Sequence, residues 1–91
     1  MRVARRYVIA GRVQGVGFRW FAHDAARREG VQGWVRNLAD GSVEVVVVAP
    51  PDRLRAFVDE MGRGPRGARV QSVNAGEIEL TEEPVGFEIR P

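Results

Sequence analysis

Apolar and polar side chains alternate in short segments of this chain, which is the pattern of β-strands with one face packed on a core. This alternation predicts strands over residues 6–13 and 31–37. Residues 43–49 include four consecutive valines, which favours a strand buried on both faces or nearly so. The Asp40–Gly41 pair is typical of a hairpin turn. We therefore expect three strands before residue 50, the last two joined as a hairpin.

Two segments have the spacing of amphipathic helices. Residues 20–29 are rich in alanine, place Phe21 and three alanines on one side, and are followed by Gly30, which predicts a left-handed end to the helix. Pro50–Pro51 can open a second helix, expected to end at Gly62. Its apolar residues recur at i, i+3, i+4 and i+7, namely Leu54, Phe57, Val58 and Met61.

The remaining segments complete a recognisable order of elements. Residues 68–80 predict a mostly extended segment with a bulge at Gly76, and residues 86–90 predict a short last strand. The order β-α-β-β-α-β plus a short C-terminal strand favours an α+β fold of ferredoxin-like type. In that fold, two helices cover one face of a mainly antiparallel sheet. The length of 91 residues predicts a single domain over residues 1–91.

The chain gives no sign of a membrane or export segment. No apolar run approaches the ~18 residues that a membrane span requires. The basic start, residues 1–6, is followed by alternation rather than by the apolar core of a signal peptide. We therefore expect a cytoplasmic protein with no membrane partner, and nothing in the sequence requires more than a monomer.

The residue types that are absent exclude several kinds of chemistry. The chain has no Cys, no Lys and a single His. It therefore cannot contain a thiol nucleophile, a Walker lysine or a His-rich metal site. Any chemistry must rely mainly on Arg, Asn, carboxylates and backbone amides. Residues 1–30 hold seven Arg against two acidic residues, which indicates a small anionic ligand, a nucleic acid or simply a solvated arginine-rich surface.

The most informative stretch is G-R-V-Q-G-V-G-F-R at residues 11–19, which joins a predicted strand to a predicted helix. Gly15 and Gly17 allow positive φ angles, so successive amides of the loop can turn inward as an anion-binding nest. The helix that follows adds the positive end of its dipole, and no good N-cap residue competes for its first amides. Arg19 supplies a planar cation that can grip two phosphate oxygens.

Asn37 is the second candidate. The helix over residues 20–29 carries the chain roughly 15 Å away from Arg19, and the next strand returns it by roughly 20 Å. Asn37 is therefore expected near the level of Arg19, where its amide could orient a water molecule. The alternative interpretation is a strand-end asparagine that satisfies the hairpin.

The chain resembles the acylphosphatase family over essentially its whole length. The resemblance rests on the motif at residues 11–19 and on G-W-V-R-N-L-A-D-G-S-V-E-V at residues 33–45. A looser match, G-P-R-G-A-R-V, covers residues 64–70, and the ending G-F-E-I-R covers residues 86–90. The first two motifs are long and occur in the family's order and spacing.

The resemblance implies a stand-alone acylphosphatase that hydrolyses acyl phosphates to a carboxylate and inorganic phosphate. It implies a phosphate site formed by Arg19 and the loop amides, and it makes Asn37 the residue that orients the attacking water. The implied loop residues are Gln14, Gly15, Val16, Gly17 and Phe18. It also implies no metal, no cofactor and no nucleic acid partner, the substrate being a small acyl phosphate.

The main alternative is a non-enzymatic ferredoxin-like module that binds RNA or a phosphorylated metabolite. An RNA-binding sheet requires exposed aromatic side chains on adjacent strands, and only Tyr7 and Trp34 are candidates.

The other prominent residues receive structural interpretations. Trp20 and Phe21 are expected in a staple or in the core, and His23 on the surface or in a structural position. Arg12 and Arg36 are assigned to the solubility of edge strands, the alternative being that they assist an acyl group. A frayed and solvated start is expected for Arg2, Arg5 and Arg6.

Overall fold

Five strands and two helices account for most of the chain. The computed structural model describes residues 1–91, and it arranges them in the predicted order with one strand at the C-terminal end. The elements are β1 (Val3–Arg12), α1 (Phe18–Glu29), β2 (Gln32–Asn37), β3 (Val43–Ala49), α2 (Pro51–Arg63), β4 (Arg69–Glu77) and β5 (Phe87–Arg90). Neither helix is long and apolar enough to cross a membrane.

The strands form one sheet in the order β4-β1-β3-β2-β5. β3 pairs antiparallel with both β1 and β2, β1 pairs antiparallel with β4, and only the β2–β5 pair is parallel. The two helices contact each other and both pack on the sheet. This arrangement confirms the predicted α+β class, with two helices over one face of a mainly antiparallel sheet.

The core lies between this face and the helices. Tyr7 and Ile9 of β1, with alternate residues of the hairpin strands, form its sheet side. Phe57 and Met61 of α2 are fully buried against them, as their spacing predicts. Each such side chain contributes roughly 1.5–3 kcal/mol by its removal from water. All seven residues of β3 are buried, so the prediction of burial on both faces is confirmed.

Several predicted boundaries move by one to three residues. β1 begins at Val3, and α1 begins at Phe18 rather than two residues later. The left-handed end of α1 at Gly30 is confirmed by its φ of 70°. α2 continues through Gly62 to Arg63. It ends at Gly64, whose backbone amide donates to the carbonyl oxygen of Glu60. Boundaries move because helix ends depend on local capping more than on the apolar periodicity.

The predicted bulge at Gly76 is wrong. Gly76 pairs regularly with Arg6, and the irregularity lies at Gly11 of β1. There Ala10 pairs with Ser72 but Gly11 pairs with Val70, so β4 carries one extra residue. Gly11 has a φ of 128°, and a Cβ on it would lie 2.1 Å from the carbonyl oxygen of Arg69. The two strands can approach this closely only because residue 11 is glycine.

The arginines at the start of the chain are not frayed. Arg5 and Arg6 lie within β1, which is an interior strand, as is β2 with Arg36. The assignment of Arg12 and Arg36 to edge strands is therefore wrong as well. The Nε atoms of Arg6 and Arg36 each lie 2.6 Å from a carboxylate oxygen of Glu44 on the central strand. Arg2 forms an ion pair with Glu83. Arg36 and Glu44 face each other across the β2–β3 hairpin, whereas the contacts of Arg2 and Arg6 join distant segments, so the spacing of arginines along the chain does not reveal those two.

Glu44 is a buried carboxylate, only 4% exposed, held between two guanidinium groups. Burial raises the pKa of Glu44, but the hydrogen bonds from Arg36 and Arg6 together outweigh it and leave the pKa below its ordinary value. A carboxyl group with a lowered pKa in the folded state stabilises the fold above its unfolded pKa. That contribution is lost as the pH falls through the folded value.

We expect Glu44→Gln to lower the free energy of unfolding at pH 7 by about 1–3 kcal/mol, because charge-assisted hydrogen bonds are lost. The difference from wild type should shrink as the pH falls from about 4.5 downward. Urea unfolding between pH 7 and pH 3 measures both effects. Glu83→Gln, which removes an exposed ion pair, is the matched control and should change stability much less. A difference in the free energy of unfolding that persists unchanged down to pH 3 would contradict this account.

Candidate active site

The loop between β1 and α1 has the backbone conformation that its glycines predict. Gly15 and Gly17 have φ angles of 74° and 77°. Nothing lies within 4 Å of a Cβ built on either residue, so the left-handed backbone and not crowding favours glycine there. Val13 and Phe18 are buried on the two sides of the loop. The loop is therefore anchored in the core at both ends.

The amides of this loop are not used by the protein. Of the eight backbone hydrogen bonds outside regular helices and strands, none has its donor in residues 13–17. Gly17 is the N-cap residue of α1, and no side chain caps that helix end. The first helical amides also lack acceptors by the geometry of an α-helix. The loop and the helix start thus present a row of N–H donors together with the positive end of the helix dipole.

The side chain of Gln14 connects the loop to the β2–β3 hairpin. Its Nε2 atom donates to the carbonyl oxygens of Leu38 and Ser42, at 2.8 Å and 2.9 Å. Leu38 directly follows Asn37, so this bond pair fixes the distance between the loop and the end of β2. Sequence reasoning assigned Gln14 to the loop amides only and missed this function of its side chain.

The hairpin turn is held by Asp40. One oxygen of its carboxylate accepts from the Ser42 hydroxyl at 2.5 Å and from the Ser42 amide at 2.9 Å. The hydroxyl hydrogen bond, with the amide bond second, lowers the pKa of Asp40 below its usual value. Gly41 has a φ of 95°, as expected of a glycine in this turn. The predicted Asp40–Gly41 turn is confirmed.

Arg19 and Asn37 meet at one edge of the sheet. β1 and β2 are both antiparallel to β3, so they run in the same direction, and β5 is parallel to β2. The three strands therefore end at the same edge. That edge carries the loop after β1, Asn37 at the end of β2 and Arg90 at the end of β5. The sequence-based expectation that Asn37 returns to the level of Arg19 agrees with this placement.

Arg90 was not predicted as part of this region, yet it contacts Arg19. The Nη1 atom of Arg19 donates to the Arg90 carbonyl oxygen at 3.2 Å. The Arg90 guanidinium lies 4.0 Å from the centre of the Trp34 ring, a cation–π contact, and its Nε lies 3.2 Å from Glu88. No spacing in the sequence indicates this contact, because it depends on β5 joining the sheet beside β2.

A depression of about 120 Å³ lies between these groups. Eight residues line it, namely Val13, Gln14, Gly15, Gly17, Phe18, Arg19, Trp20 and Asn37. Six of the seven predicted site residues are thus brought together. Val16 is the exception, since its side chain packs against the core.

A larger cavity lies elsewhere. It measures about 410 Å³ and lies between the first half of β1 and α2, with Tyr7, Leu54 and Val58 among its lining residues. It contains neither Arg19 nor Asn37, nor any residue of the glycine-rich loop. Size alone does not place the site there.

The expectation that Trp20 lies in a staple or in the core is wrong. Its side chain is 66% exposed and lies on the rim of the small depression, not in the core or a staple. Phe18, Ala22 and Ala25 of α1 are buried, and residues two positions apart lie on opposite sides of a helix, so Trp20 points outward. Phe21 is half-buried and packs against the core, as expected.

Comparison with known proteins decides the family. The family model described as acylphosphatase matches residues 5–89. The chain belongs to the acylphosphatase family. An acylphosphatase of Koribacter versatilis is 54% identical over 69 residues, which are 76% of this chain and 63% of that protein. An acylphosphatase of Thermococcus kodakarensis is 49% identical over 87 residues, 96% of this chain and 91% of that protein.

The solved structures agree with this family. The crystal structure of an acylphosphatase from Bacillus subtilis superposes with a TM-score of 0.92 at 34% identity, covering 100% of both chains. The family predicted from the two motifs is therefore confirmed, as is the prediction of an acylphosphatase enzyme.

The contact between loop and hairpin yields a test. We expect Gln14→Leu, which keeps the backbone amide but removes both side-chain donors, to speed hydrogen exchange at Leu38 and Gly41 by roughly tenfold, because two neutral hydrogen bonds are lost. Exchange within the β1–β4 pair should not change. Gln71→Leu, at an exposed position of β4, is the matched control. Unchanged exchange at the hairpin would contradict a bracing function for Gln14.

Proposed function

We propose that this chain hydrolyses the carboxyl–phosphate bond of acyl phosphates at the depression between the glycine-rich loop and Asn37. The family and the fold support acyl phosphate hydrolysis as the reaction class. The observation that carries the residue assignment is that Arg19 and Asn37 line one small depression whose loop amides have no protein acceptor.

In this proposal the phosphate group binds to the amides of residues 14–18 and to Arg19. A guanidinium has five N–H donors, and the Arg90 carbonyl engages only one nitrogen of Arg19. That single bond orients the planar group while other donors remain for two phosphate oxygens. Phosphoryl transfer depends mainly on positioning and charge stabilisation, which these groups supply.

Asn37 orients the attacking water. The water oxygen forms a bond to phosphorus, and the bond between phosphorus and the acyl oxygen breaks. The carboxylate leaves with the electron pair, and a phosphate oxygen of the substrate accepts the proton of the water. A carboxylate leaving group has a conjugate acid as strong as that of Asp or Glu, so it departs without a general acid. His23 and the carboxylates of the chain therefore need no part in the reaction.

The proposal includes no metal and no cofactor, since Arg19, the amides and the helix dipole provide the positive charge. It also treats the chain as a monomer whose partner is a small acyl phosphate. The alternative of an RNA-binding sheet receives little support from the two aromatic candidates. Tyr7 is buried beneath the helices and Trp34 is covered by the Arg90 guanidinium.

We expect Arg19→Ala to lower kcat/KM for acetyl phosphate by roughly 10³-fold or more, because the cation that stabilises transferring phosphoryl charge is lost. Arg19→Lys should recover only part of this loss, since Lys lacks the planar fork. The assay is phosphate release in excess chelator, which also tests the metal-free reaction. Arg27→Ala, an exposed arginine at the other end of the same helix, is the control. A wild type without turnover above buffer would refute the proposal.

Asn37→Ala should act differently. We expect kcat to fall by at least 10²-fold, while the inhibition constant of inorganic phosphate changes little, because orienting a water molecule is not ground-state binding. Initial rates and product inhibition by phosphate separate the two effects. Asn74→Ala, at an exposed position of β4, is the matched control. An equal loss of phosphate binding would instead place Asn37 among the groups that bind phosphate, with Arg19 and the loop amides.

A further inference from the structure

The larger cavity, of about 410 Å³, lies at the opposite end of β1 from the proposed active site. One side of it is formed by Val3, Arg5 and Tyr7, alternate residues of β1 that project to the helix side of the sheet. Leu54 and Val58, one turn apart on α2, form an apolar wall opposite. The extended chain between Tyr7 and the glycine-rich loop spans roughly 20 Å, so the two sites share no space.

The cavity stays open because the edge strand adds little to it. Ala75 of β4 pairs with Tyr7 and is exposed, and the residues on each side of Ala75 are exposed as well. Paired residues of neighbouring strands lie on the same face of a sheet, so β4 offers only a methyl group beside the Tyr7 ring. β4 is an edge strand, so this side of the cavity remains in contact with water.

The Tyr7 hydroxyl is an unused polar group in this cavity. Tyr7 is only 6% exposed, yet none of the side-chain hydrogen bonds of the protein includes its hydroxyl. A buried tyrosine usually has a partner for this group. Burial raises the pKa of Tyr7, and the charge of Arg5 acts in the opposite direction, as expected for a guanidinium near the hydroxyl.

The charged side chains of the cavity are also without partners. Arg5, Arg55 and Asp59 line it, and none of them takes part in an ion pair. Arg5 donates only to the neighbouring carbonyl oxygen of Ala4. The three side chains together carry one surplus positive charge, which matches a ligand with a single negative charge. One carboxylate can accept from the Tyr7 hydroxyl and from the Arg5 guanidinium at once.

We propose that this cavity is a second binding site, for a small carboxylate with an apolar body. Tyr7 and Arg5 bind the carboxylate, and Leu54 and Val58 contact the apolar body. The volume of the cavity lies within the ~300–1,000 Å³ of pockets that enclose small organic ligands. The site does not depend on the proposed function, because it shares no lining residue with the small depression.

The test is a titration with 2-naphthoate followed by NMR of the backbone amides. We expect the amide signals of Tyr7, Leu54 and Val58 to shift and to saturate with one dissociation constant. 2-Naphthamide, which has the same rings without the charge, should bind roughly tenfold more weakly, because the charge-assisted bonds are lost. Arg19→Ala should leave the constant unchanged, since Arg19 lies outside the cavity. No saturable shift at these three residues would overturn the inference.

Two variants test the groups that bind the carboxylate. Tyr7→Phe keeps the ring and removes the hydroxyl, and Arg5→Gln removes the cation. Each should weaken 2-naphthoate binding roughly tenfold, as expected for the loss of one hydrogen bond to a charged group. Arg63→Gln, at an exposed position near the end of α2 and outside the cavity, is the matched control and should keep the wild-type affinity.

Asp59→Asn should act in the opposite direction. It removes the negative charge of the cavity without breaking an ion pair, so the affinity for 2-naphthoate should rise roughly threefold. A variant that fails to fold cannot bind more tightly, so this result is not open to a trivial explanation. Weaker or unchanged binding would contradict the proposed position of the carboxylate.

Two further outcomes would overturn the inference. If 2-naphthamide binds as tightly as 2-naphthoate, the cavity selects apolar surface and no carboxylate. If the same amide signals shift when the protein concentration is raised without ligand, a second copy of the chain covers the cavity. Phosphate release from acetyl phosphate enters neither measurement, so a failure of the proposed function would leave this inference standing.

Discussion

The buried central strand β3 is the constraint on which the rest of the structure depends. All its residues are removed from water, and both its neighbours pair with it in the opposite direction. β1 and β2 must therefore run parallel to each other, although they never pair. This shared direction sends the glycine-rich loop and the Asn37 end of β2 to one edge of the sheet. The candidate site thus follows from the pairing of a buried, valine-rich strand with an antiparallel strand on each side.

Contacts across that edge refine what the topology brings together. The side-chain amide of Gln14 donates to two carbonyl oxygens of the hairpin, and the carbonyl oxygen of Arg90 accepts from one nitrogen of Arg19. Both devices use hydrogen bonds to backbone carbonyls, those of the hairpin turn for Gln14 and that of β5 for Arg19. The side chains that would meet substrate are therefore positioned by the sheet, while the amides of the loop keep their donors unused.

Much of the fold could be predicted because its signals are local. The apolar spacing of α2, the glycine at the end of α1 and the Asp40–Gly41 turn each depend on a few neighbouring residues. The sequence could propose candidate site residues for the same reason, since they lie in two long motifs. Gly76 was misjudged because a bulge depends on the register between two strands, and the close approach occurs at Gly11 instead. Trp20 was misplaced because its position two residues before the buried Ala22, on the opposite side of the helix, was not weighed.

The interactions that were missed are those between distant segments. Glu44 holds arginines from two other strands: Arg36 faces it across the hairpin, but Arg6 lies 38 residues away in the chain and outside the reach of a local pattern. Arg90 lies beside Arg19 because β5 pairs in parallel with β2 at the side of the sheet, and no spacing in the sequence predicts this pairing. In each case the sequence contains the residue but not the geometry that gives it a partner.

The position of β3 also bears on how the protein avoids aggregation. A run of four valines flanked by other β-forming residues is the kind of segment that assembles into cross-β stacks when its backbone is free. Here two strands lie on either side of it, and the outermost one beside the hairpin, β5, has only four residues. A short edge strand such as β5 offers little template for pairing between molecules, whereas the other edge strand, β4, has nine residues and lacks this protection. Fraying at either edge leaves the valine run covered, so its exposure coincides with loss of the whole sheet.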